Sequence, residues 1–265
     1  MKKILSLFRS GIIVCLQFRF GVIVTLIGNL IYLTIVYSLW KSIFISSGND
    51  VVNGMDFEST MIYLVLASSM YMLLESHLAW RMHEDIQSGK IILDIIKPVE
   101  YQMFKYISIL GEVFFNLITT FVPTFVIVYF LSNSRISLGV NVILFAISMV
   151  IGMIISLCFD FFVGTIGLYS QSIWGINMMK EVVIMLFSGA VVPIHFFPEP
   201  LKTISVFLPF QSIYHAPLQL LIDSGLSLVD KIDILFNQIA WMIILIVISK
   251  IFWRKSLKTI TINGG

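Results

Sequence analysis

Residues 81–105 read RMHEDIQSGKIILDIIKPVEYQMFK, the longest charge-bearing interruption of an otherwise apolar sequence. Long apolar runs lie on both sides of it. Its mixture of acidic, basic and aliphatic residues is typical of a short helix that lies against a protein surface. We therefore interpret this stretch as the place where a membrane-embedded body meets a partner in the cytoplasm.

The composition favours a membrane protein. Hydrophobic residues make up 58% of the 265 residues and charged residues only 12%, whereas a soluble domain carries about 25% charged residues. A soluble core cannot absorb this much apolar surface. The two cysteines, Cys15 and Cys158, have apolar neighbours and no second ligand at a suitable spacing, so neither a disulfide nor a metal site is predicted.

Six apolar runs are long enough, at about 20 residues, to cross the hydrocarbon core of a bilayer. They predict an all-α integral membrane protein, with six transmembrane helices in a single domain over residues 1–265. Residues 1–20 alternate bases with apolar residues and predict an interfacial N-terminal helix; the alternative is that they begin the first span. The predicted spans are residues 21–40, 59–79, 106–131, 140–168, 177–194 and 233–253.

Basic residues are distributed unevenly across this topology. If both termini lie on one side, that side holds 13 of the 17 lysine and arginine residues. Because cytoplasmic loops carry an excess of bases, both termini and residues 81–105 are predicted to be cytoplasmic. The opposite side holds only Lys41, Arg135, Lys202 and Lys231.

Prolines interrupt the segment between the fifth and sixth predicted spans. Its two apolar pieces, Leu201–Phe210 and Ile213–Ile222, are each too short to span a bilayer. We predict an outer re-entrant hairpin of two short helices; the alternative is an external amphipathic loop. The predicted outer-gate residues are Pro193, Phe207, Pro209, Phe210 and Pro217.

Five ionisable residues fall near the cytoplasmic ends of the predicted spans, where burying a charge in lipid is costly. They predict a polar vestibule or a hinge of ion pairs between helices. The alternative is that they reach interfacial water or pair locally. These residues are Glu75, His77, Glu112, Asp160 and Glu181.

Small or polar residues recur every four positions along the fourth predicted span. Such a ridge allows another backbone to approach closely, and it serves packing more often than a substrate path. The ridge consists of Ser148, Gly152, Ser156, Asp160 and Gly164.

Motifs for nucleotide and metal chemistry are incomplete. The nearest approach to a phosphate-binding loop has Glu84 in place of its first glycine and Ile91 in place of its hydroxyl residue. His83 and Glu84 begin a zinc-protease motif, but Gln87 replaces its second histidine. We therefore predict no catalytic residue, metal site or cofactor in this chain, which argues against an intramembrane enzyme.

Residues 82–98, hereafter the connector, combine a break with a helical pattern. Ser88 and Gly89 form the break, after which aliphatic residues recur at helical spacing over residues 91–96, and Pro98 ends the pattern. An ordinary loop would not need this periodicity. The alternative is a helix that lies on lipid, but the mixture of acids and bases favours docking to protein.

Three local motifs resemble the membrane subunits of type-2 ATP-binding-cassette exporters, especially the six-span drug-export permeases that work in pairs. The first is DIQSGK at 85–90 with DIIKPV at 94–99, similar to the family's loop between its second and third spans. The others are SGAVVP at 188–193 with FFPE at 196–199, and LPFQSIY at 208–214 with Pro217. Lys97 departs from the arginine expected before the proline, which keeps the charge but not the bidentate hydrogen bonding.

The resemblance implies a cytoplasmic coupling helix at about 82–98 and a translocation path for a drug, peptide or other amphipathic substrate. It also implies two separate ATPase subunits, which bind the ATP and Mg, and a second permease subunit in the lipid bilayer of the plasma membrane. No nucleic-acid partner is expected, and an ion-coupled secondary transporter is the alternative. The resemblance assigns ATPase coupling to Met82, His83, Glu84, Asp85, Ile86, Gly89, Lys90, Ile91, Asp94, Ile95, Lys97 and Pro98.

Overall fold

The computed structural model describes residues 13, 19–132, 136, 139–223 and 225–259. Its helices are α1 Arg19–Ser47, α2 Phe57–Leu74, α3 Leu78–Gln87, α4 Ile91–Ile95, α5 Tyr101–Asn116, α6 Val122–Leu131, α7 Val140–Ile166, α8 Trp174–Phe187, α9 Glu199–Phe207, α10 His215–Ile222 and α11 Leu228–Ser256. The predicted interfacial helix over residues 1–20 lies, apart from residue 13 and its last two residues, outside this description.

Five stretches of the described chain are long and apolar enough to cross a membrane, so the protein is an integral helical membrane protein. They correspond in order to the first, second, third, fourth and sixth predicted spans. The stretches are Leu26–Ser47, Phe57–Gln87, Tyr101–Leu131, Val140–Ile166 and Leu228–Ser256.

The fifth predicted span differs from its prediction. The helix predicted over residues 177–194 ends at Phe187, so α8 has only 14 residues. A helix of that length covers about 21 Å, against about 30 Å of hydrocarbon. Gly189, with φ of +78°, follows the helix end and redirects the chain. Six full-length spanning helices are therefore not confirmed among the described residues.

The loop between α1 and α2 contains the only strands of the described chain, β1 Val51–Val52 and β2 Met55–Asp56. They pair antiparallel around Asn53 and Gly54, both with positive φ. An Asn-Gly pair is the preferred two-residue turn of a tight hairpin. Asp56 then caps α2 by accepting a hydrogen bond from the Ser59 N–H at 3.3 Å.

The third predicted span is continuous but locally widened. Residues Leu117–Phe121 between α5 and α6 form one π-helical turn. Pro123 follows this turn, and proline neither donates a backbone hydrogen bond nor tolerates the carbonyl four residues earlier. A π turn accommodates that loss without breaking the helix.

The proline-rich segment contains two short helices, α9 and α10, whose boundaries differ from those of the two predicted pieces. A single 3-10 turn, Pro209–Ser212, joins them, and another, Ile194–Phe196, precedes them. We call residues 193–222 the hairpin. Its second helix is almost entirely buried, whereas Phe207 at the end of the first is 74% exposed.

α7 is the central helix of the fold, and it packs against α3, α10 and α11. The predicted ridge of small residues lies on its packed face. A Cβ at Gly152 would stand 2.9 Å from the carbonyl oxygens of Ser212 and Ile213, and one at Gly164 would stand 2.8 Å from the sulfur of Met82. The ridge therefore lets both the hairpin and the connector approach α7 closely.

Candidate functional site

The charged side chains of the connector are tied to the start of α5. Lys105 is 7% exposed and contacts the carboxylates of Asp85 at 2.6 Å and Asp94 at 2.7 Å. Lys97 also contacts Asp94, at 2.6 Å. Burial alone would raise the pKa of Asp94, but its hydrogen bonds to Lys105 and Lys97 outweigh burial and hold that pKa below its usual value.

One side of the connector is buried within the chain itself. Met82 and Ile91 are 0% and 3% exposed and belong to a cluster built around Tyr101, Phe161 and Trp253. Ile86 and Ile95 are partly buried against the same cluster. These four predicted coupling residues therefore hold the connector to the transmembrane body and offer little surface to a partner.

The opposite side of the connector presents aliphatic residues that are not among the predicted coupling residues. Ile92 is 38% exposed, Leu93 is 61% exposed and Ile96 is 73% exposed. The charged residues Glu84 and Lys90 are exposed beside them. Because residues 91–96 are aliphatic on both sides of a very short helix, their periodicity alone could not show which side faces outward.

The remaining predicted connector residues shape its ends. Gly89 lies between α3 and α4 with φ of +72°, a conformation that L side chains rarely adopt, so the predicted break is confirmed. His83 is partly buried, and its Nδ1 atom has no hydrogen-bond partner. Pro98 is exposed after the last turn of the connector.

Three of the predicted ionisable residues have partners from other segments or from their own helix. Arg81 donates to Glu112, and Lys180 and Ser76 both donate to the buried Asp160. These contacts join α3 to α5, and they join α7 both to α8 and to the bend before α3. Glu112 and Asp160 therefore each form an ion pair with a residue of another helix. Glu181, in contrast, accepts a hydrogen bond from the neutral amide of Asn177, at 2.6 Å, and has no basic partner in the part of the chain that is described.

Glu75 and His77 occupy the bend that separates α2 from α3, and both are exposed. The Glu75 backbone leaves helical geometry with ψ of 114°, although its N–H still donates to the Tyr71 carbonyl at 2.8 Å. No contact within the described chain supplies Glu75 with a basic partner. The second predicted span is therefore bent at a position without glycine or proline.

The bend opens into a cavity of about 390 Å³ between α1, α2, α8 and the turn after α8. Its walls are largely apolar, with Glu75 as the one charged side chain among the residues that line it. They are Gly28, Asn29, Tyr32, Ser68, Tyr71, Met72, Glu75, Met185, Ala190 and Val191.

Neutral groups fasten the hairpin to α2 and the turn after α8. The Tyr63 hydroxyl donates to the Gly189 carbonyl at 2.9 Å and lies 3.2 Å from Nδ1 of His215. Since a hydroxyl has a single proton, Nδ1 of His215 must carry hydrogen for both contacts to be hydrogen bonds. Burial lowers the pKa of His215 to about 3, and that of nearby His195 falls in the same direction for the same reason.

The five predicted outer-gate residues differ in how deeply the hairpin buries them. Pro193, Pro209 and Pro217 are buried, and Phe210 stacks on Phe159 of α7 with ring centroids 5.1 Å apart. Phe207 alone of the five is largely exposed.

A comparison with protein families matches residues 30–264 to the family described as ABC-2 family transporter protein. The chain belongs to the ABC-2 transporter family. Membership in this family supports the interpretation of this chain as the membrane subunit of an ATP-binding-cassette transporter. In such a transporter the permease is the transmembrane component and an ATPase is its partner. A search of curated proteins found no match. Within the described chain of this ABC-2 family member, no group of three histidine, cysteine or acidic residues is placed to hold a metal ion.

Proposed function

We propose that this chain forms the translocation path of an exporter for drugs, peptides or other amphipathic molecules, and that two copies of a separate ATPase power it. A second permease subunit, identical or related, completes the path. The observation that supports this proposal best is the two-sided connector. One side is fixed to the transmembrane body, and the other presents exposed aliphatic and charged residues.

The fixed side provides a mechanical link between partner and membrane. The buried pair of Lys105 with Asp85 and Asp94 ties the connector to α5, and Met82 packs against α7 at Gly164. A force applied to the connector is therefore carried to the third and fourth spans together. Burial of the exposed aliphatic side would supply affinity for the ATPase, and Glu84 and Lys90 would supply orientation and partner choice.

The cavity supplies a candidate path for the substrate. Its walls come from α1, α2 and α8, and the outward faces of α1 and α8 carry exposed apolar side chains such as Ile31, Ile35 and Met179. A second permease placed against α1 and α8 would close the cavity and form a path between the two subunits. The rest of these apolar faces would contact lipid.

Substitutions that introduce a charge on the exposed side of the connector test its proposed coupling role. We expect Leu93→Asp and Ile96→Asp to reduce co-purification of the ATPase and substrate-stimulated ATP hydrolysis in a reconstituted complex. Membrane insertion and thermal stability should not change, because both side chains are exposed. Glu84→Lys should have a smaller effect of the same kind, since like charges at an interface are unfavourable.

The matched control lies on the buried side of the same short helix. Ile91→Asp places a charge in the intramolecular cluster, so it should destabilise the chain itself before any partner binds. Asp85→Lys would likewise break the pair with Lys105 and is a poor probe of docking. Normal assembly and stimulation of the Leu93→Asp and Ile96→Asp variants would reject the connector as the coupling element.

Chemical labelling tests the proposed orientation, with both termini and the connector in the cytoplasm of the cell and the protein in the plasma membrane. In intact cells, a membrane-impermeant thiol reagent should label Asn53→Cys but not Ser88→Cys or Lys258→Cys. The two native cysteines are first replaced by alanine. Labelling of Ser88→Cys from outside would reverse the orientation.

One observation favours the ion-coupled secondary transporter as a second candidate. Glu75 lies beside a cavity and has no basic partner among the residues that the structure describes, and such a carboxylate is suited to carry a proton. Transport that follows a proton gradient in liposomes without any ATPase would support this candidate. Transport that requires the ATPase and ATP would exclude it.

A further inference from the structure

Glu75 differs from the other carboxylates that the sequence placed near the spans. Glu112 is paired with Arg81, and Asp160 is paired with Lys180. Glu181 has a neutral amide partner, but Glu75 has no hydrogen-bonding or basic side-chain partner in the described chain. Glu75 is exposed at the bend, so its carboxylate is accessible to a cation that enters the cavity.

The bend presents this carboxylate to the cavity together with an aromatic ring. Tyr71 precedes Glu75 by four residues, so the two side chains lie on one face of the chain, and both line the cavity. The Tyr71 ring stacks on the buried Tyr214 with centroids 6.4 Å apart, which fixes its position. An aromatic face next to a carboxylate is an arrangement that attracts organic cations.

The charge on the cavity lining also favours a positively charged ligand. The residues that line it include no lysine, arginine or histidine. Glu75 is the one charged residue of this lining, so the only charge that the lining presents to a ligand is negative.

We propose that this cavity binds lipophilic organic monocations, with Glu75 as their counter-ion and Tyr71 as an aromatic face. Apolar walls, including Met72, Met185 and Val191, surround the body of the ligand. The volume of about 390 Å³ falls within the range of drug-sized binding sites, about 300–1,000 Å³. This inference rests on the proposed function, since it names the substrate class of the proposed path.

Two ions of nearly the same size and shape but opposite charge test the proposal. The purified full chain is placed in lipid nanodiscs, and binding of tetraphenylphosphonium and of tetraphenylborate is measured in separate samples against empty nanodiscs. We expect saturable binding of the cation and none of the anion. Glu75→Gln, which keeps the shape of the side chain, should weaken cation binding about tenfold or more.

Further variants separate charge from shape and from general damage. Tyr71→Leu should weaken cation binding about two- to fivefold and Tyr71→Phe much less, because only the first removes the aromatic face. Glu199→Gln removes an exposed carboxylate far from the cavity lining and should leave binding unchanged. Each variant is also checked for an unchanged thermal midpoint. Equal cation affinity of wild type and Glu75→Gln, or equal binding of both ions, would overturn the proposal.

The assay requires neither ATPase nor ATP, so its outcome is separable from that of the proposed function. If an ATPase co-purifies and is stimulated while Glu75→Gln binds the cation normally, only the cation site is rejected. If cation binding depends on Glu75 but no ATPase associates, the cation site stands and the ATP-driven exporter is rejected.

Discussion

Neutral hydrogen bonds join the hairpin to other segments of the described chain, whereas ion pairs between segments lie at the connector end of α7. Near the hairpin, Gln238 of α11 accepts from Ser148 at 2.7 Å and donates to the Ser212 carbonyl at 2.8 Å. Near the connector, Asp160 and Lys180 form a buried ion pair. Both ends are tightly packed, so the difference lies in chemistry and not in density.

The hairpin end and the connector end of α7 differ in how firmly their contacts hold them in place. Neutral hydrogen bonds to backbone carbonyls, together with backbone contact at Gly152, fix the hairpin in one position on α7. Ion pairs that are partly exposed, such as Arg81 with Glu112, can exchange partners with water or with one another. We therefore expect the connector end to change during a transport cycle while the hairpin end moves as one body with α7.

The largest effect should follow from removing one member of the buried ion pair. Lys180→Met leaves the Asp160 carboxylate, 5% exposed, without its cation. We expect the free energy of unfolding in mild detergent to fall by about 3–5 kcal/mol. Adding Asp160→Asn should restore most of the loss, because no buried charge then lacks a partner. A Lys180→Met variant as stable as wild type would remove the ion pair as a structural element.

A smaller loss of stability is expected at the two close contacts of α7, and it should differ between them. In Gly152→Ala the new methyl group meets two backbone carbonyl oxygens, so the hairpin must shift, and we expect a loss of about 1–3 kcal/mol. Gly164→Ala meets only the Met82 side chain, which can rearrange, and should cost less. Thermal midpoints of the two variants in the same detergent give the comparison. Equal losses would show that the connector is held as rigidly as the hairpin.

Acid should weaken the hairpin end selectively. The folded protein holds the pKa of His215 at about 3, below its usual 6.5. The unfolded chain therefore binds the proton more readily between these values, so stability is fully present above about pH 6.5 and falls as the pH drops. At pH 5 we expect a loss of about 2 kcal/mol relative to neutral pH.

His215→Gln checks this pH dependence. The variant is less stable than wild type at neutral pH, because the Tyr63 and Gly189 contacts are disturbed, but its stability should depend less on pH between 7 and 5. His195 also titrates beside His215, with ring centroids 5.3 Å apart, so His195→Gln serves as the companion variant. An unchanged slope in His215→Gln would assign the acid sensitivity to another group.

The smallest effect should come from the exposed ion pair of the connector. Lys97 is 42% exposed where it contacts Asp94. Lys97→Met should change the free energy of unfolding by about 0–1 kcal/mol, and high salt should abolish that difference. The loss in Lys180→Met should persist in the same salt. If salt removes both differences equally, the two pairs are not distinguished by burial.

The apolar runs, the proline pattern and the family motifs were sufficient to predict a helical membrane protein with a helical pair between its last spans. The length of α8 was not predictable from hydropathy, since residues 188–194 are nearly as apolar as the helix before them. α8 ends at the turn around Gly189. This turn is held by Tyr63, which donates to the Gly189 carbonyl and contacts His215, and both residues belong to other segments of the chain. The small β-hairpin did have a sequence signal, the Asn53-Gly54 turn.

The sequence by itself determined which stretches enter the membrane, because hydrophobicity and length are properties of each stretch alone. Only the tertiary structure decided that Ile91 faces inward and Leu93 outward, since both are aliphatic and Asp94, the one polar residue of this short helix, is itself paired with Lys105 of the transmembrane body. It also decided that, among the described residues, Asp160 has a basic partner and Glu75 has none. Partners for these charges come from other elements, and folding alone sets which side chains come within the few ångströms that an ion pair requires.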